Sequence, residues 1–260
     1  MFDSGFGGLT VARAVIDLLP DEDLVYLGDT GRYPFGPRPQ AEVREFAHQI
    51  AWHLVKDHDV KLLVVACNTA AAAALDTLVD ELPVPVVSVI EPGVRAMVRV
   101  TDTGRVGVIG TVGTIGSGAY QRAVEATGAS VELTAVSCPG FVEFVERGET
   151  TGEGVTILAE RLLAPVKDAG VDTLLLGCTH YPYLARVIGD VMGREVTLVS
   201  SADETAFEVR RVLIDLGLTR PAGAAAGTSS FITTGDVNWF EELGRRLLGP
   251  ELERAEQLTW

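Results

Sequence analysis

Short apolar segments alternate with amphipathic segments along almost the whole chain. Segment 62–66 is apolar at every position, which is typical of a parallel strand covered by helices on both faces. The predicted strands are 24–27, 62–66, 85–89, 106–109, 131–136, 173–176, 196–199 and 231–233. The predicted helices are 9–19, 40–57, 69–82, 114–127, 154–169, 183–192, 202–216 and 237–248. This alternation predicts an α/β fold built on parallel sheets.

Two parts of the chain resemble each other. Segment 60–69 aligns with segment 171–180, and each is an apolar strand that ends in a cysteine, polar residues and a helix. A looser match pairs 1–4 with 108–111. We therefore expect two similar lobes related by a pseudo-twofold axis, 1–91 with 206–260 and 92–205, with the active site in the cleft between them. The Gly/Ala-rich segment 219–230 is expected to be a flexible surface connection.

The charge balance limits the partners of this protein. The 260 residues include 36 acidic and 21 basic side chains, which gives a net charge of −15. Such a surface repels phosphate groups, so we expect neither nucleic-acid nor anionic-membrane binding. We also expect no membrane span and no targeting segment. Three cysteines, an odd number, favour reduced thiols and a cytoplasmic protein.

Polar side chains follow the predicted strands at their carboxyl ends. In α/β sheets, ligands bind beyond these ends, where helix N-termini also point. The residues concerned are Asp3, Ser4, Cys67, Asn68, Thr69, Thr111, Thr114, Cys178, Thr179 and His180. We expect them to face one cleft.

The two aligned cysteines are the strongest chemical signal. A cysteine after an apolar strand is ordinarily a small buried hydrophobic residue, and Cys138 fits that interpretation. Cys67 and Cys178 instead stand at predicted helix starts, a position that lowers the pKa of a thiol. Two such thiols suit the removal of a proton from one face of a carbon and its delivery to the other face.

The sequence favours neither a metal nor a cofactor. His48, His53 and His58 are spaced by five residues and do not share a helix face. The lysines are Lys56, Lys61 and Lys167, and none is expected in the cleft, which argues against pyridoxal phosphate. The glycines of 5–8 do not match a dinucleotide-binding fingerprint.

A set of motifs taken together resembles the glutamate racemases of the aspartate/glutamate racemase family. They are segment 2–11, Asp29-Thr30, Pro34-Phe35-Gly36, Ala66-Cys67-Asn68-Thr69-Ala70, Cys138-Pro139 with Phe141-Val142, and segment 177–182. The resemblance covers nearly the whole chain. It implies two α/β lobes and a cofactor-independent glutamate racemase that supplies D-glutamate for bacterial peptidoglycan.

The resemblance also implies roles for single residues. Cys67 and Cys178 match the two catalytic thiols, while Asp3, His180 and Glu146 match auxiliary groups; Glu143 is the rival of Glu146. The positions matched to substrate contacts are Asp3, Ser4, Phe35, Gly36, Asn68, Thr69, Thr111, Thr114, Thr179 and His180. Phe35 departs from the tyrosine usual in the family, so only a backbone contact is expected there. The first strand is short, which leaves open whether the N-terminus is complete.

Other functions remain open from the sequence. A related racemase acting on aspartate or a hydantoin would share the two thiols. A two-lobed amino-acid-binding protein would not need the two thiols. The net charge alone also suggests an acidic protein that occupies the cationic groove of a DNA enzyme. A homodimer is also left open.

Overall fold

The computed structural model describes residues 1–221, 223 and 225–260. In this part of the chain the strands are β1 (Phe2–Asp3), β2 (Leu24–Gly28), β3 (Leu63–Val65), β4 (Val86–Ser88), β5 (Arg105–Gly110), β6 (Glu132–Ser137), β7 (Thr173–Gly177), β8 (Thr197–Ser200), β9 (Ser229–Thr233) and β10 (Glu256–Gln257). They form one sheet in the order β10-β9-β2-β1-β3-β4 and a second in the order β6-β5-β7-β8. All neighbouring strands are parallel.

Helices flank both sheets, as the alternating pattern predicts. They are α1 (Leu9–Leu18), α2 (Gln40–Asp57), α3 (Asn68–Glu81), α4 (Ile90–Val100), α5 (Val112–Gly116), α6 (Ala119–Ala126), α7 (Phe141–Glu146), α8 (Glu153–Asp168), α9 (Ala185–Met192), α10 (Ser201–Asp215) and α11 (Val237–Leu247). A 3₁₀ turn covers Tyr181–Leu184. The predicted α/β fold with two parallel sheets is confirmed.

The two sheets share one strand order. If the four strands of each series are numbered along the chain, they lie side by side in the order 2-1-3-4, both in β2-β1-β3-β4 and in β6-β5-β7-β8. The aligned segments 60–69 and 171–180 therefore contain β3 and β7, which hold equivalent places. The lobe boundaries at 91 and 206 stay a prediction.

The central strands of the first sheet are buried on both faces. Leu63 and Val65 of β3 belong to one hydrophobic cluster, whereas Val64 between them belongs to another on the opposite face. Successive side chains of a strand point to opposite faces, so both must be apolar when helices cover both sides. This accounts for the unbroken apolar pattern of segment 62–66.

Four details differ from the sequence-based expectation. The helix predicted over 114–127 is divided into α5 and α6, because Gly118 adopts a left-handed conformation with φ +71°. Helices α4 and α7 and strand β10 were not predicted. Pro92 lies in the first turn of α4, where a missing N–H costs no helical hydrogen bond.

Two further points concern the remaining sequence predictions. Positions 222 and 224 of the predicted connection 219–230 lie outside the described residues. Within the described residues, no helix combines the length and the apolar character needed to span a bilayer.

Candidate active site

A cavity of about 110 Å³ lies beyond the carboxyl ends of strands from both sheets. Its size suits a small metabolite rather than a polymer segment. The sequence-predicted residues that line it are Asp3, Ser4, Phe35, Gly36, Cys67, Asn68, Thr69, Thr111, Cys178, Thr179 and His180. The parallel topology brings these residues together from distant parts of the chain, since every strand ends at the same edge of its sheet.

Two predicted residues stand behind the cavity wall. Thr114 is fully buried, and its hydroxyl lies 3.1 Å from that of Thr69 and 2.9 Å from that of Thr111. Glu146 lies behind His180, with its Oε1 3.2 Å from His180 Nε2. Both therefore contact residues of the wall.

Cys67 caps the N-terminus of α3. Its Sγ accepts a hydrogen bond from the Ala70 N–H at 3.5 Å and donates one to Ser4 Oγ at 3.6 Å. Burial raises the pKa of the Cys67 thiol to about 12, and the nearby Asp3 carboxylate acts in the same direction. The expectation of a lowered pKa at Cys67 is therefore wrong, because desolvation outweighs the helix N-terminus.

Asp3 is a buried acid beside this thiol. Its carboxylate accepts a hydrogen bond from the Gly5 N–H at 2.8 Å and one from Thr179 Oγ1 at 3.4 Å. Burial raises the pKa of Asp3, while the positive charge of His180 and these hydrogen bonds oppose the rise. The Thr179 contact joins the end of β1 to the end of β7.

His180 is the basic group beside Cys178. Its Nδ1 lies 3.9 Å from Cys178 Sγ, and its Nε2 faces Glu146. Burial alone would lower the pKa of His180, but the hydrogen bonds with Cys178 and Glu146 and the charges of Cys178 and Asp3 raise it to about 10. The imidazole is therefore cationic at neutral pH.

Direct contacts join the two sheets around the cavity. Thr69 Oγ1 at the start of α3 lies 3.0 Å from Thr111 Oγ1, which follows β5. The carbonyl of Gly36 accepts a hydrogen bond from the Gly113 N–H at 2.9 Å. These contacts bring the β2–α2 loop and the start of α5 together beside the cavity.

Asn68 connects the cavity to a residue that the sequence did not reveal. Its Nδ2 donates to Tyr120 Oη at 2.8 Å, and both side chains are buried. Asn68 Oδ1 is also buried and has no hydrogen-bond partner among the described residues. The wall thus holds an unused acceptor, which fits a ligand that carries N–H groups.

The wall also contains residues that sequence reasoning missed or assigned differently. Those without an assigned role are Tyr33, Pro37, Val112 and Gly140, together with Pro34, Pro139, Val142 and Tyr181, which lie within the motifs of the resemblance. Cys138 is buried as expected, yet it lines the cavity too, as does Glu143. Tyr33 directly precedes the Pro34-Phe35-Gly36 motif, and that adjacency was its only signal.

No lysine or arginine lines the cavity within the described part of the chain. Lys61 Nζ instead contacts Glu22, Lys167 Nζ donates to the Val191 carbonyl, and Lys56 lies over the Trp52 ring. Over residues 1–221, 223 and 225–260, no cluster of three or more His, Cys, Asp or Glu side chains is arranged to hold a metal ion. The wall therefore offers thiols, carboxyls, one imidazole and neutral donors.

The chain as a whole is similar to known proteins. A family model described as Asp/Glu/Hydantoin racemase matches residues 9–208. The chain belongs to this family. A curated relative, the glutamate racemase of Acidothermus cellulolyticus, is 53% identical over 258 residues, which cover 99% of this chain and 97% of the relative.

Solved structures agree in fold over the full length. The glutamate racemase isoform RacE1 from Bacillus anthracis superposes with a TM-score of 0.92 at 42% identity, over 100% of this chain and 95% of that one. The glutamate racemase from Francisella tularensis in complex with D-glutamate superposes with a TM-score of 0.91 at 31% identity, over 99% and 96%. The fold of this chain is thus the fold of those enzymes.

Proposed function

We propose that this protein interconverts L- and D-glutamate without a cofactor. The observation that carries the proposal is the pair Cys67 and Cys178, which follow the equivalent strands β3 and β7 and line one cavity. The Acidothermus cellulolyticus relative named glutamate racemase supports glutamate as the substrate, since the identity extends over 99% of the chain.

In the proposed reaction the two thiols act on opposite faces of the α-carbon. One cysteine, as thiolate, takes the α-proton and becomes a thiol. The other cysteine, starting as a thiol, gives its proton to the opposite face and becomes a thiolate. The product is the other enantiomer, with no net change in oxidation state or proton count. Each cysteine serves as the base for one enantiomer.

Auxiliary groups would set the protonation state of each thiol. The raised pKa of Cys67, about 12, favours the thiol form and hence the donor role, so its use as a base needs help. We assign the buried Asp3 carboxylate, whose charge acts on the Cys67 thiol, to receive that proton. On the other side, His180 with Glu146 would assist Cys178.

Neutral donors would hold the substrate. The α-proton of an amino acid is weakly acidic, so the site must stabilise negative charge that develops at the α-carbon. Ser4, Asn68, Thr69, Thr111 and Thr179 supply hydroxyl and amide groups, and the N-terminus of α3 supplies backbone N–H groups. An anionic substrate gains nothing from the overall charge of −15, so these local donors carry the binding.

We further propose that the D-glutamate serves peptidoglycan synthesis in the cytoplasm. Aspartate and hydantoins are the competing substrates, since the family description includes them. A two-lobed binding protein without catalysis is the remaining alternative, and it gives no reason for two thiols on one cavity.

The test is proton exchange in D₂O. Purified protein is incubated with L-glutamate, and with L-aspartate or a hydantoin in parallel, while α-deuterium and the D-enantiomer are followed by NMR and chiral chromatography. We expect deuterated D-glutamate with glutamate as the preferred substrate. A folded protein that yields neither deuterium incorporation nor D-glutamate contradicts the proposal. Faster turnover of aspartate or the hydantoin would reassign the substrate.

A further inference from the structure

The Tyr33 side chain brings an unused hydroxyl to the wall of the cavity. Tyr33 belongs to the loop between β2 and α2, on the first sheet, and its ring packs against Gly5, where an added Cβ would lie 3.2 Å from Tyr33 Cδ2. Its hydroxyl oxygen is buried and has no hydrogen-bond partner in the described part of the chain. Buried hydroxyl groups ordinarily make a hydrogen bond, so we expect an acceptor for the Tyr33 hydroxyl.

Several other polar side chains of the wall already have partners. Thr69 pairs with Thr111, Thr179 pairs with Asp3, and the amide nitrogen of Asn68 pairs with Tyr120, whereas Asn68 Oδ1 accepts no hydrogen bond from the described residues. The second aromatic ring of the loop, Phe35, packs on Phe46 at 5.6 Å between centroids and carries no hydroxyl. Tyr33 is the one tyrosine of this loop, and its hydroxyl donates no hydrogen bond to the described residues.

Glu146 and Glu143 are the two carboxylates whose charges act on this hydroxyl. Burial, then the carboxylate of Glu146, and then Glu143 and Cys178 raise the pKa of Tyr33 above its usual value of 10. The hydroxyl therefore stays protonated and acts as a donor at neutral pH. Glu146 uses Oε1 to contact His180, which leaves Oε2 for a second donor.

We infer that Tyr33 is a positioning residue whose hydroxyl donates to the Glu146 carboxylate across the cleft. The bond would hold Glu146 against His180, and so hold His180 against Cys178. Tyr33 comes from a loop of the first sheet, whereas Glu146 belongs to α7, which follows β6 of the second. The bond from Tyr33 to Glu146 would thus link the two sides of the cavity. The inference rests on the proposed racemase function.

A double-mutant cycle tests this role directly. We compare the wild type, Tyr33→Phe, Glu146→Ala and the double variant by kcat and KM for L-glutamate. Tyr33→Phe is expected to lower kcat by about three- to ten-fold and to leave KM within two-fold, since it removes one hydrogen bond made to a positioning group. In the Glu146→Ala background, where the acceptor is absent, the same change is expected to have no further effect.

The matched control is Tyr183→Phe. Tyr183 does not line the cavity, and its hydroxyl donates to the Leu247 carbonyl at 3.4 Å, so kcat should stay near the wild-type value. Equal losses from Tyr33→Phe in both backgrounds would overturn the inference, because Tyr33 would then act independently of Glu146. An unchanged kcat in Tyr33→Phe, or a rise in KM alone, would also overturn it.

Folding gives a second readout. The Tyr33 hydroxyl makes no bond in the ligand-free protein, so Tyr33→Phe should have a Tm equal to or above that of the wild type. A clear loss of folding would assign Tyr33 a structural role and overturn the inference. A wild type without α-deuterium exchange would instead refute the proposed function, which distinguishes the two failures.

Discussion

His180 Nε2 lies 3.2 Å from Glu146 Oε1, and the two side chains are only 4% and 11% exposed. The other nitrogen of the same ring, Nδ1, lies 3.9 Å from Cys178 Sγ. Glu143, the alternative in the same helix, lines the cavity, but its carboxylate does not share this contact with His180. A histidine held between a carboxylate and a thiol can exchange protons with the thiol while the carboxylate stabilises its cationic form.

Glu146→Gln should weaken the cationic form of His180. The Glu146 hydrogen bond is one cause of the raised His180 pKa of about 10, so the amide should lower that pKa. The high-pH limb of kcat is then expected to move to lower pH, and kcat to fall about ten-fold. Rates of glutamate racemisation measured from pH 6 to 11 check this. Glu143→Gln is the control. If the high-pH decrease of kcat shifts in Glu143→Gln but not in Glu146→Gln, Glu143 rather than Glu146 is the auxiliary residue.

The same pKa predicts how stability depends on pH. His180 titrates near pH 10 when folded and near 6.5 in its unperturbed state. Its contribution to the free energy of unfolding is fully present below about pH 6.5 and is lost as pH rises through 10. The difference in unfolding free energy between the wild type and His180→Gln should therefore shrink from pH 6 to pH 10. Chemical denaturation at several pH values measures it, and a constant difference would contradict the prediction.

The two-thiol mechanism predicts equal need for both cysteines. Cys67→Ala and Cys178→Ala should each lower racemisation in both directions by about 10³-fold, because each direction uses one thiol as base and the other as acid. Cys138→Ala is the matched control, since Cys138 is a buried thiol of the same wall whose sulfur has no assigned role. Chiral chromatography of both reactions provides the measurement. Two-way activity that persists without Cys67 or without Cys178 would exclude the mechanism.

Gly113 should be intolerant of a side chain. A Cβ at Gly113 would lie 2.7 Å from the Gly36 carbonyl oxygen, the acceptor of the Gly113 N–H. Gly113→Ala should therefore separate the β2–α2 loop from α5 beside the cavity and raise KM for glutamate about ten-fold. Gly116 in the same helix α5 has no atom within 4 Å of an added Cβ. Gly116→Ala should keep KM and stabilise the fold by about 0.5–1 kcal/mol. Similar KM values for the two variants would refute this account.

An ion pair with a buried carboxylate and a partly exposed guanidinium holds the loop that carries Tyr33 and Phe35. Arg32 Nε donates to Asp29 Oδ2 at 2.7 Å, and Asp29 is fully buried. Asp29→Asn should lower the free energy of unfolding by about 3 kcal/mol, because it leaves Arg32 without its buried charge partner. Asp215→Asn breaks the exposed Arg211–Asp215 pair and should cost less than about 1 kcal/mol. Urea titration of both variants compares them, and equal losses would show that burial of Asp29 adds nothing.

The sequence by itself determined the secondary-structure pattern and the place of the thiols. The apolar runs of β3 and β7 mark strands buried on both faces, and the residue after each strand is read directly from the chain. The equivalent positions of the two cysteines follow from the local similarity between segments 60–69 and 171–180. This similarity can be recognised without any knowledge of the packing. The α/β fold and most of the cavity wall were therefore predictable.

Only the tertiary structure decided how these groups act on one another. Burial reversed the predicted pKa shift of Cys67, because desolvation depends on every segment that covers the thiol. The contact that selects Glu146 over Glu143 spans 34 residues, and the bond from Asn68 to Tyr120 spans 52. Contacts at such separations leave no periodic trace in a sequence, since they arise from the packing of whole elements. The sequence thus names the candidate groups, and the packing sets their protonation and their partners.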